Sequence, residues 1–483
     1  MRNVLIFPMI ALVLSAAGSV AVRASESMPE LDGFLPEVVE KVGILPEPVP
    51  GDELAIADAI EMAAERNASL EVMKAEVERS RWQTATAWAI IMPMVEASAS
   101  YVRADHEDVV EFDMSSMLEA LGIPVPEGTT SEPTVIRRLD NLNGSLSVSM
   151  SLINVAGWYT IAAAQSGDKL ARLTYEQVRD QIQSGVVQAF LAAMMTRSVI
   201  DLQRSQVVSA AHHLDFALKK FAAGSGLKID VVRAEADLVK ARQELLNANL
   251  AYESARDALG ILTGAGGLPV PSGDPQFDLS SSVPNGRDQI DEAVSRAVEI
   301  RNDIKLQQAG LDLAKKSYGA SWGGYVPTLV GGWSGSYQFT EPASFGSVDR
   351  SRWNLFLNLS VPLFRFDKIG EIKQKKLAVK VAELKVDEAR ENAARDIREA
   401  ERQYRTAVAN HEISLKQVEL AREAFQLVEA AYLAGAGSSL EVTDAMRNRL
   451  ASEVGALTSE LRVRVALVNL NVALGRRVQD VVR

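Results

Sequence analysis

The 483-residue sequence has no cysteine. That excludes disulfides, thiolate metal sites, cysteine nucleophiles and lipidation of an N-terminal cysteine. Histidine is almost missing as well. His106, His212, His213 and His411 show no ligand spacing and read as surface or packing residues, so no metal site is expected. Basic residues fall short of acidic ones, 51 against 63, which argues against a nucleic-acid-binding face. Proline is absent from 156–221 and from 369–432, and glycine is scarce there. Nothing resembles a nucleophile, a phosphate loop or a cofactor cradle, so the chain is not expected to be an enzyme.

What is present begins with an export signal. Arg2 precedes an apolar run from Val4 to Val22, and Val22-Arg23-Ala24 offers small residues where a signal peptidase inspects the chain. Residues 1–24 are expected to be removed, leaving a Pro-rich N-terminal lead over 25–51.

The chain then contains itself twice. At a shift of 234 residues, Ala59, Ile60, Ala63, Leu70, Val77 and Pro93 fall on Ala293, Val294, Ala297, Ile304, Leu311 and Pro327. At a shift of 211, Phe221, Gly224, Gly226, Val231, Ala234 and Gly264 fall on Tyr432, Gly435, Gly437, Val442, Ala445 and Gly475. Duplication on this scale means one supersecondary unit used twice. The expected boundaries are 52–264 for the first repeat, 265–287 for a Gly/Pro/Ser-rich linker, 288–476 for the second repeat and 477–483 for a tail.

Within each repeat the period of apolar residues changes. A helical pattern opening at Asp52 or Asp58 runs to about Met92, where Pro93 stops it. Strand alternation follows at Val95–Val102 and again at 143–152, where Asn143, Ser145, Ser147, Ser149 and Ser151 oppose Leu146, Val148, Met150 and Leu152. The second repeat shows the same two-faced pattern with Leu355, Leu357, Leu359, Val361 and Leu363. The charge-free stretch Asn141–Gly167 is long enough for a membrane helix, but four serines at strict alternation favour a strand. Long helices follow, from about Ala156 to Phe221 and from about Ile369 to Tyr432, each reaching roughly 95–100 Å. The second carries a small-residue seam at Ala393, Ile397, Ala400, Tyr404 and Ala407, then Val418, Ala421, Phe425, Val428 and Tyr432. Arg395, Glu399, Arg402 and Arg405 take the solvated faces. Gly224-Ser225-Gly226 and Gly435-Ala436-Gly437 then reverse the chain. Pro93 to Ser151 spans 58 residues and Pro327 to Pro362 spans 35, so the first hairpin carries an exposed loop that includes the acidic His106–Asp113 stretch and the Pro/Gly-rich 122–133.

One apolar face and one serine-lined face suit a strand with lipid on one side and water on the other. Four such strands cannot close a barrel, and open edges in hydrocarbon cost several kcal/mol for each unpaired backbone group. Other copies must complete the sheet. Two copies give eight strands and a filled interior; three give twelve and a lumen, which is the favoured number. Trp158, Tyr159, Trp322, Tyr325, Trp333 and Trp353 near strand ends form either an interfacial girdle or packing at helix–strand junctions.

The order helix, strand hairpin, long helix, Gly turn, helix, all duplicated, resembles the TolC family of outer-membrane efflux and secretion channels over about residues 52–476. Local motifs agree: Tyr-Leu-Ala-Gly at 432–435 with Leu-Glu-Val-Thr-Asp-Ala at 440–445, Phe-Ala-Ala-Gly at 221–224 with Ile-Asp-Val-Val-Arg-Ala at 229–234, and Ser-Val-Pro-Leu-Phe at 360–364. The resemblance implies an α+β membrane protein with four transmembrane strands per chain. Three chains would form a homotrimer with a twelve-stranded β-barrel set in outer-membrane lipid and a long α-helical barrel projecting into the periplasm. It implies periplasmic tip turns at Gly224, Gly226, Gly435 and Gly437, where a periplasmic adaptor (membrane fusion) protein would link the duct to an inner-membrane RND- or ABC-type transporter. It also implies a pore gate at Glu441 and Asp444, which lie three residues apart on one helix face and would form two stacked acidic rings. The plainer reading is acidic residues favoured by a helix N-terminus. A closed-state latch would join Asp230 to Tyr432, or Tyr432 is simple packing on the apolar seam. A basic residue belonging to that latch in the family is replaced here by Gly437. The competing function is a soluble periplasmic coiled-coil scaffold or adaptor-like protein.

Overall fold

The computed structural model describes residues 34–43, 45–110, 115–124, 134–275, 283–284, 287–341 and 349–481. The expected signal peptide (1–24), the start of the lead, and parts of the 122–133 loop and the 265–287 linker lie outside the described residues. The chain divides into two bodies. One holds the residues up to Ala75, Leu173–Lys305 and everything from Asp387; the other holds Glu76–Arg172 and Leu306–Val386.

In chain order, a short helix α1 (Pro36–Val42) and a two-residue strand β1 (Glu53–Leu54) precede α2 (Ile56–Arg66) and α3 (Ala68–Trp88). The sequence predicts one helix here, and the structure breaks it at Asn67. The Asn67 carboxamide oxygen accepts from the Ser69 and Leu70 amides, and its NH2 donates to the Leu262 carbonyl, so its side chain caps a new helix instead of continuing the old one. The first hairpin is β2 (Met94–Arg103) and β5 (Asp140–Ile153). Between them, β3 (Asp108–Val110), α4 (Ser115–Ala120) and β4 (Thr134–Arg137) give the expected loop a small hairpin of its own. The long helix α5 (Val155–Ala222) and the return helix α6 (Lys228–Thr263) complete the repeat.

After β6 (Val270–Pro271), the second copy runs α7 (Arg287–Ile300), α8 (Asn302–Gly323), β7 (Thr328–Gln338), β8 (Ser351–Ser360), α9 (Phe366–Leu433) and α10 (Ser439–Ala473), with α11 (Val478–Val481) behind it. Helices α5 and α9 each hold 68 residues, about 100 Å of unbroken helix.

In the body that holds the sheet, the strand order is β2-β5-β7-β8, antiparallel throughout. The register sorts the side chains. Val95, Val148, Trp333 and Leu355 fall in one row across the strands, as do Ala97, Leu146, Gly335 and Trp353. The opposite face carries the rows Glu96, Ser147, Ser334, Asn354 and Ser98, Ser145, Ser336, Arg352. Hydroxyls bond along it, Ser98 to Ser145 at 2.7 Å and Ser334 to the Asn354 oxygen at 2.6 Å. The apolar face is bare: Leu357 is 70% exposed and Trp353 72%. Exposed apolar surface on this scale marks a face that something else covers. Trp88 meets Trp158 edge-on at 5.9 Å at a helix–helix contact, whereas Trp333 lies mid-strand over Gly335.

In the other body each long helix packs on its return helix through small residues. Val207, Ala210, Ala211 and Leu214 of α5 meet Val231, Ala234, Leu238 and Ala241 of α6. Ile397, Ala400 and Tyr404 of α9 meet Val463, Ala466 and Leu470 of α10, as the seam predicts. Among the buried differences between the repeats is one hydrogen-bonded pair. His411 Nδ1 and Ser459 Oγ are hydrogen-bonded at 2.9 Å where the first repeat has Ile200 and Ala248. His411 Nε2 has no partner among the described residues. Burial pushes the His411 imidazole below the ordinary histidine pKa, against the pull of Glu460 and Glu412. Because the folded value is the lower one, this contribution to stability is complete above pH ~6.5 and is lost as the pH falls below it. The double variant His411→Ile with Ser459→Ala, which copies the first repeat, is expected to raise the thermal midpoint and to flatten its fall in mild acid. Ser459→Ala alone, which orphans the imidazole, should destabilise by about 1–3 kcal/mol. Thermal melts in detergent at pH 7.5 and 5.5 check both; a double variant less stable than the wild type would refute the argument.

Candidate functional site

The two Gly turns are built alike and finished differently. Gly224 has φ +74° and Gly435 φ +79°, left-handed values that a side chain resists. Gly226 and Gly437 matter for closeness. Their amides donate to the Lys220 and Ala431 carbonyls, and a Cβ would come within 2.9 Å of the Phe221 nitrogen or 3.0 Å of the Tyr432 nitrogen. A basic side chain at 437 would therefore crowd the end of α9, which accounts physically for the glycine there.

Past the first turn, Leu227 offers α6 no side-chain cap. Past the second, Ser438 and Glu441 form a reciprocal capping box. The Glu441 amide donates to Ser438 Oγ at 3.3 Å, and Glu441 Oε2 accepts from the Ser438 amide at 2.8 Å. That backbone bond, then the Ser438 side chain, holds the Glu441 carboxyl below its usual range. Glu441 and Asp444 are both exposed, while Val442, Thr443 and Met446 turn inward. The two acids thus share a free face, and Glu441 also starts its helix.

Tyr432 is buried at the end of α9. Its ring stands 5.3 Å from both His213 and Phe216 of α5, and Lys220 Nζ lies 4.5 Å from its centre. Burial raises its phenol above the usual range, and the nearby Asp230 carboxylate raises it further. Asp230, half-buried in the first turn of α6, is within electrostatic reach of Tyr432, but no hydrogen bond joins them among the described contacts. The hydrogen-bonded pair here is His213 Nε2 with Ser439 Oγ, at 3.0 Å. Sequence reasoning missed both residues, although the register held a signal: His213 falls on Ala424 and Ser439 on Lys228, two breaks of the repeat beside the turns.

The N-terminal lead packs on the same helices. The Phe34 ring lies tilted against His212 with centroids 4.5 Å apart, the Leu35 amide donates to Asp215 Oδ1 at 2.9 Å, and Lys41 pairs with Glu235 at 3.0 Å. No group of three or more His, Asp or Glu residues with metal-binding geometry occurs among the described residues.

Known proteins share this architecture. The family profile described as outer membrane efflux protein matches residues 59–265 and 293–476. The cobalt-zinc-cadmium resistance protein CzcC of Cupriavidus metallidurans is 25% identical over 59% of this chain and 66% of its own length. The outer membrane protein TolC of Salmonella enteritidis is 22% identical over 68% of this chain and 69% of its own length. The chain thus spans about two thirds of the length of these relatives. Among solved structures, the open state of the MtrE outer membrane channel of Neisseria gonorrhoeae superposes with a TM-score of 0.69 at 19% identity, covering 94% of this chain and 98% of MtrE. With both repeats matched, the chain belongs to the outer membrane efflux protein family and is an outer-membrane protein with the TolC-like channel fold.

Proposed function

We propose that the chain is one protomer of a homotrimeric exit duct, conducting substrates passively from an inner-membrane transporter, through a periplasmic adaptor, across the outer membrane. The observation that carries this reading is the four-stranded sheet. It has one bare apolar face, one hydroxyl-lined face and two outer strands, β2 and β8, whose far edges have no partner among the described residues. Water cannot satisfy those edges in hydrocarbon, so copies must pair β8 of one with β2 of the next. Three copies make twelve strands, wide enough for a lumen lined by Ser98, Ser145, Ser147 and Ser334.

In this duct Glu441 and Asp444 ring the pore at the periplasmic end, and the Asp230–Tyr432 pair latches the closed state. The Gly turns are where the adaptor engages. Energy comes from the transporter, of RND or ABC type, because the chain offers no chemistry of its own. Purified protein tests the reading. It is expected to fractionate with the outer membrane, to need detergent for extraction and to form cation-selective channels in planar bilayers. A chain released in soluble form by osmotic shock would sink it.

A further inference from the structure

The bare apolar surface does not stop where β8 stops. Trp353, Leu355, Leu357 and Leu359 share one face of that strand, and beyond its last residue Leu363 is 91% exposed and Phe366, the first residue of α9, 77%. The charge pattern then changes abruptly. Between Arg365 and Lys385 lie seven basic residues and three acidic ones, in a chain whose net charge is −12. All three acids are taken: Asp367 pairs with Arg365 at 2.6 Å, Glu371 with Lys368 at 2.6 Å and Glu383 with Lys380 at 3.8 Å. Lys373, Lys375, Lys376 and Lys385 are exposed and have no carboxylate partner among the described residues.

Helical spacing sorts these side chains. Phe366, Ile369, Lys373, Lys376 and Lys380 step by three and four residues, so they form one stripe along α9, and all five are exposed. The stripe starts apolar at the sheet end and turns basic about 10 Å along the axis. Side chains on a helix lean toward its N-terminus. The N-terminus of α9 is the end at the sheet, so the lysine stems lean back toward the apolar surface. Packing within the repeat does not demand these lysines. Shifted by 211 residues, the stripe falls on Val155, Trp158, Ala162, Gln165 and Lys169 of α5, a helix of equal length leaving the same sheet. There an exposed tryptophan stands near the sheet and only the last position is charged.

We propose that Lys373 and Lys376, with Lys380 below them, bind the phosphate groups of anionic phospholipids in the periplasmic leaflet of the outer membrane, while Leu363 and Phe366 sit at the edge of its hydrocarbon. The headgroup layer is about 5–8 Å deep on each side of a bilayer, and its field extends roughly another 8 Å into the water. Lysines about 10–15 Å from Phe366, with stems leaning back toward it, fall within that reach. Clusters of basic residues just outside a membrane span are attracted to anionic leaflets in this way. The order of the stripe favours a lipid over a soluble anion. Its ammonium groups are strung along one line that continues an exposed apolar surface, whereas a pocket for a free anion would converge its donors on one point. The same stripe turned to a water-filled lumen would leave Phe366 in water.

The inference rests on the sheet spanning the outer membrane, as the duct reading has it, and the test keeps the two apart. Full-length protein in neutral detergent is titrated with phosphatidylglycerol or phosphatidylcholine brominated on the acyl chains, and binding is read as quenching of tryptophan fluorescence. The wild type is expected to prefer phosphatidylglycerol on the order of tenfold at low salt. That preference should fade near 1 M salt, where screening acts within about 3 Å. Lys373→Gln with Lys376→Gln should reduce it to within about threefold of no preference. Lys375→Gln with Lys385→Gln removes the same charge from the same helix but off the stripe, and should leave the preference intact. Lys373→Arg with Lys376→Arg should also keep it, and this pair decides the matter if the glutamine pair does not fold. A preference that is missing, indifferent to salt, lost equally in both glutamine pairs or lost in the arginine pair would overturn the proposal. So would displacement of the lipid by inorganic phosphate beyond that caused by chloride at equal ionic strength, which would mark a free-anion site. A wild type that does not fractionate with the outer membrane would refute the membrane placement itself; one that does, yet shows no preference, refutes the lysine stripe alone.

Discussion

Replacing Arg256 with alanine is expected to cost about 3–5 kcal/mol of stability, a larger loss than any surface substitution in this chain. Arg256 is fully buried on α6, with its guanidinium carbon 5.2 Å from the Tyr252 ring centre. No carboxylate pairs with it among the described contacts. Nε donates to the Pro269 carbonyl at 3.0 Å, and the two terminal nitrogens donate to the carbonyls of Val49 and Leu268. One side chain thereby ties the N-terminal lead and the linker to the first return helix. The junction has no slack. A Cβ on Gly51 would strike the Leu268 carbonyl and the guanidinium, and one on Gly260 would strike the Gly267 carbonyl. The parallel pairing of β1 with β6, Glu53 on Val270 and Leu54 on Pro271, is built on the same two segments. Alanine would remove three donors at once and leave three carbonyls unmatched where water has little access. Lysine should rescue poorly, because one ammonium cannot span carbonyls that a planar fork reaches. Denaturant titration in detergent measures the loss; less than about 1 kcal/mol for Arg256→Ala would mean that the junction relaxes around the gap.

That junction also marks where the sequence stopped being readable. Helices, strands and turns repeat locally, so their positions follow from period, proline and glycine. The long helices begin within a few residues of expectation and end within one, and the serine rows lie on one sheet face as the alternation requires. The Asn67 break was hidden, because the apolar period runs through it and only the side chain's bond to Leu262 reveals the cap. The lead at 25–51 read as an irregular Pro-rich approach. Its contacts with Asp215, Glu235 and Arg256 lie about two hundred residues away in sequence, where no period can signal them. Past the second Gly turn, the exposed pair Glu441 and Asp444 was named from spacing and family motif. The buried polar groups around Tyr432 were not, since His213 and Ser439 come from different repeats and each alone looks like an ordinary helix residue. The differences between the copies were the one available pointer.

Neutralising the acidic pair should give the largest functional change. If Glu441 and Asp444 ring the constriction, Glu441→Gln with Asp444→Asn removes six carboxylates from a trimer, and the cation-to-anion permeability ratio should fall from well above one to about one. Glutamine is the informative replacement at 441. It keeps the reciprocal bond to the Ser438 amide, so the start of α10 survives and only the charge is lost. The single variants divide the effect between the two acids. The Ser438 amide and hydroxyl hold Glu441 below the usual carboxylate range, so this ring keeps its charge as the pH falls through about 4.3, where a free glutamate is half protonated. A channel that retains Glu441 and carries Asp444→Asn should stay cation-selective at pH 4.5. One that retains Asp444 and carries Glu441→Gln measures the selectivity that Asp444 alone provides at pH 7. Reversal potentials under a salt gradient, taken at pH 7 and 4.5, read all four proteins. Unchanged selectivity in the double variant would place the constriction elsewhere and leave Glu441 with a single role, the capping of its helix.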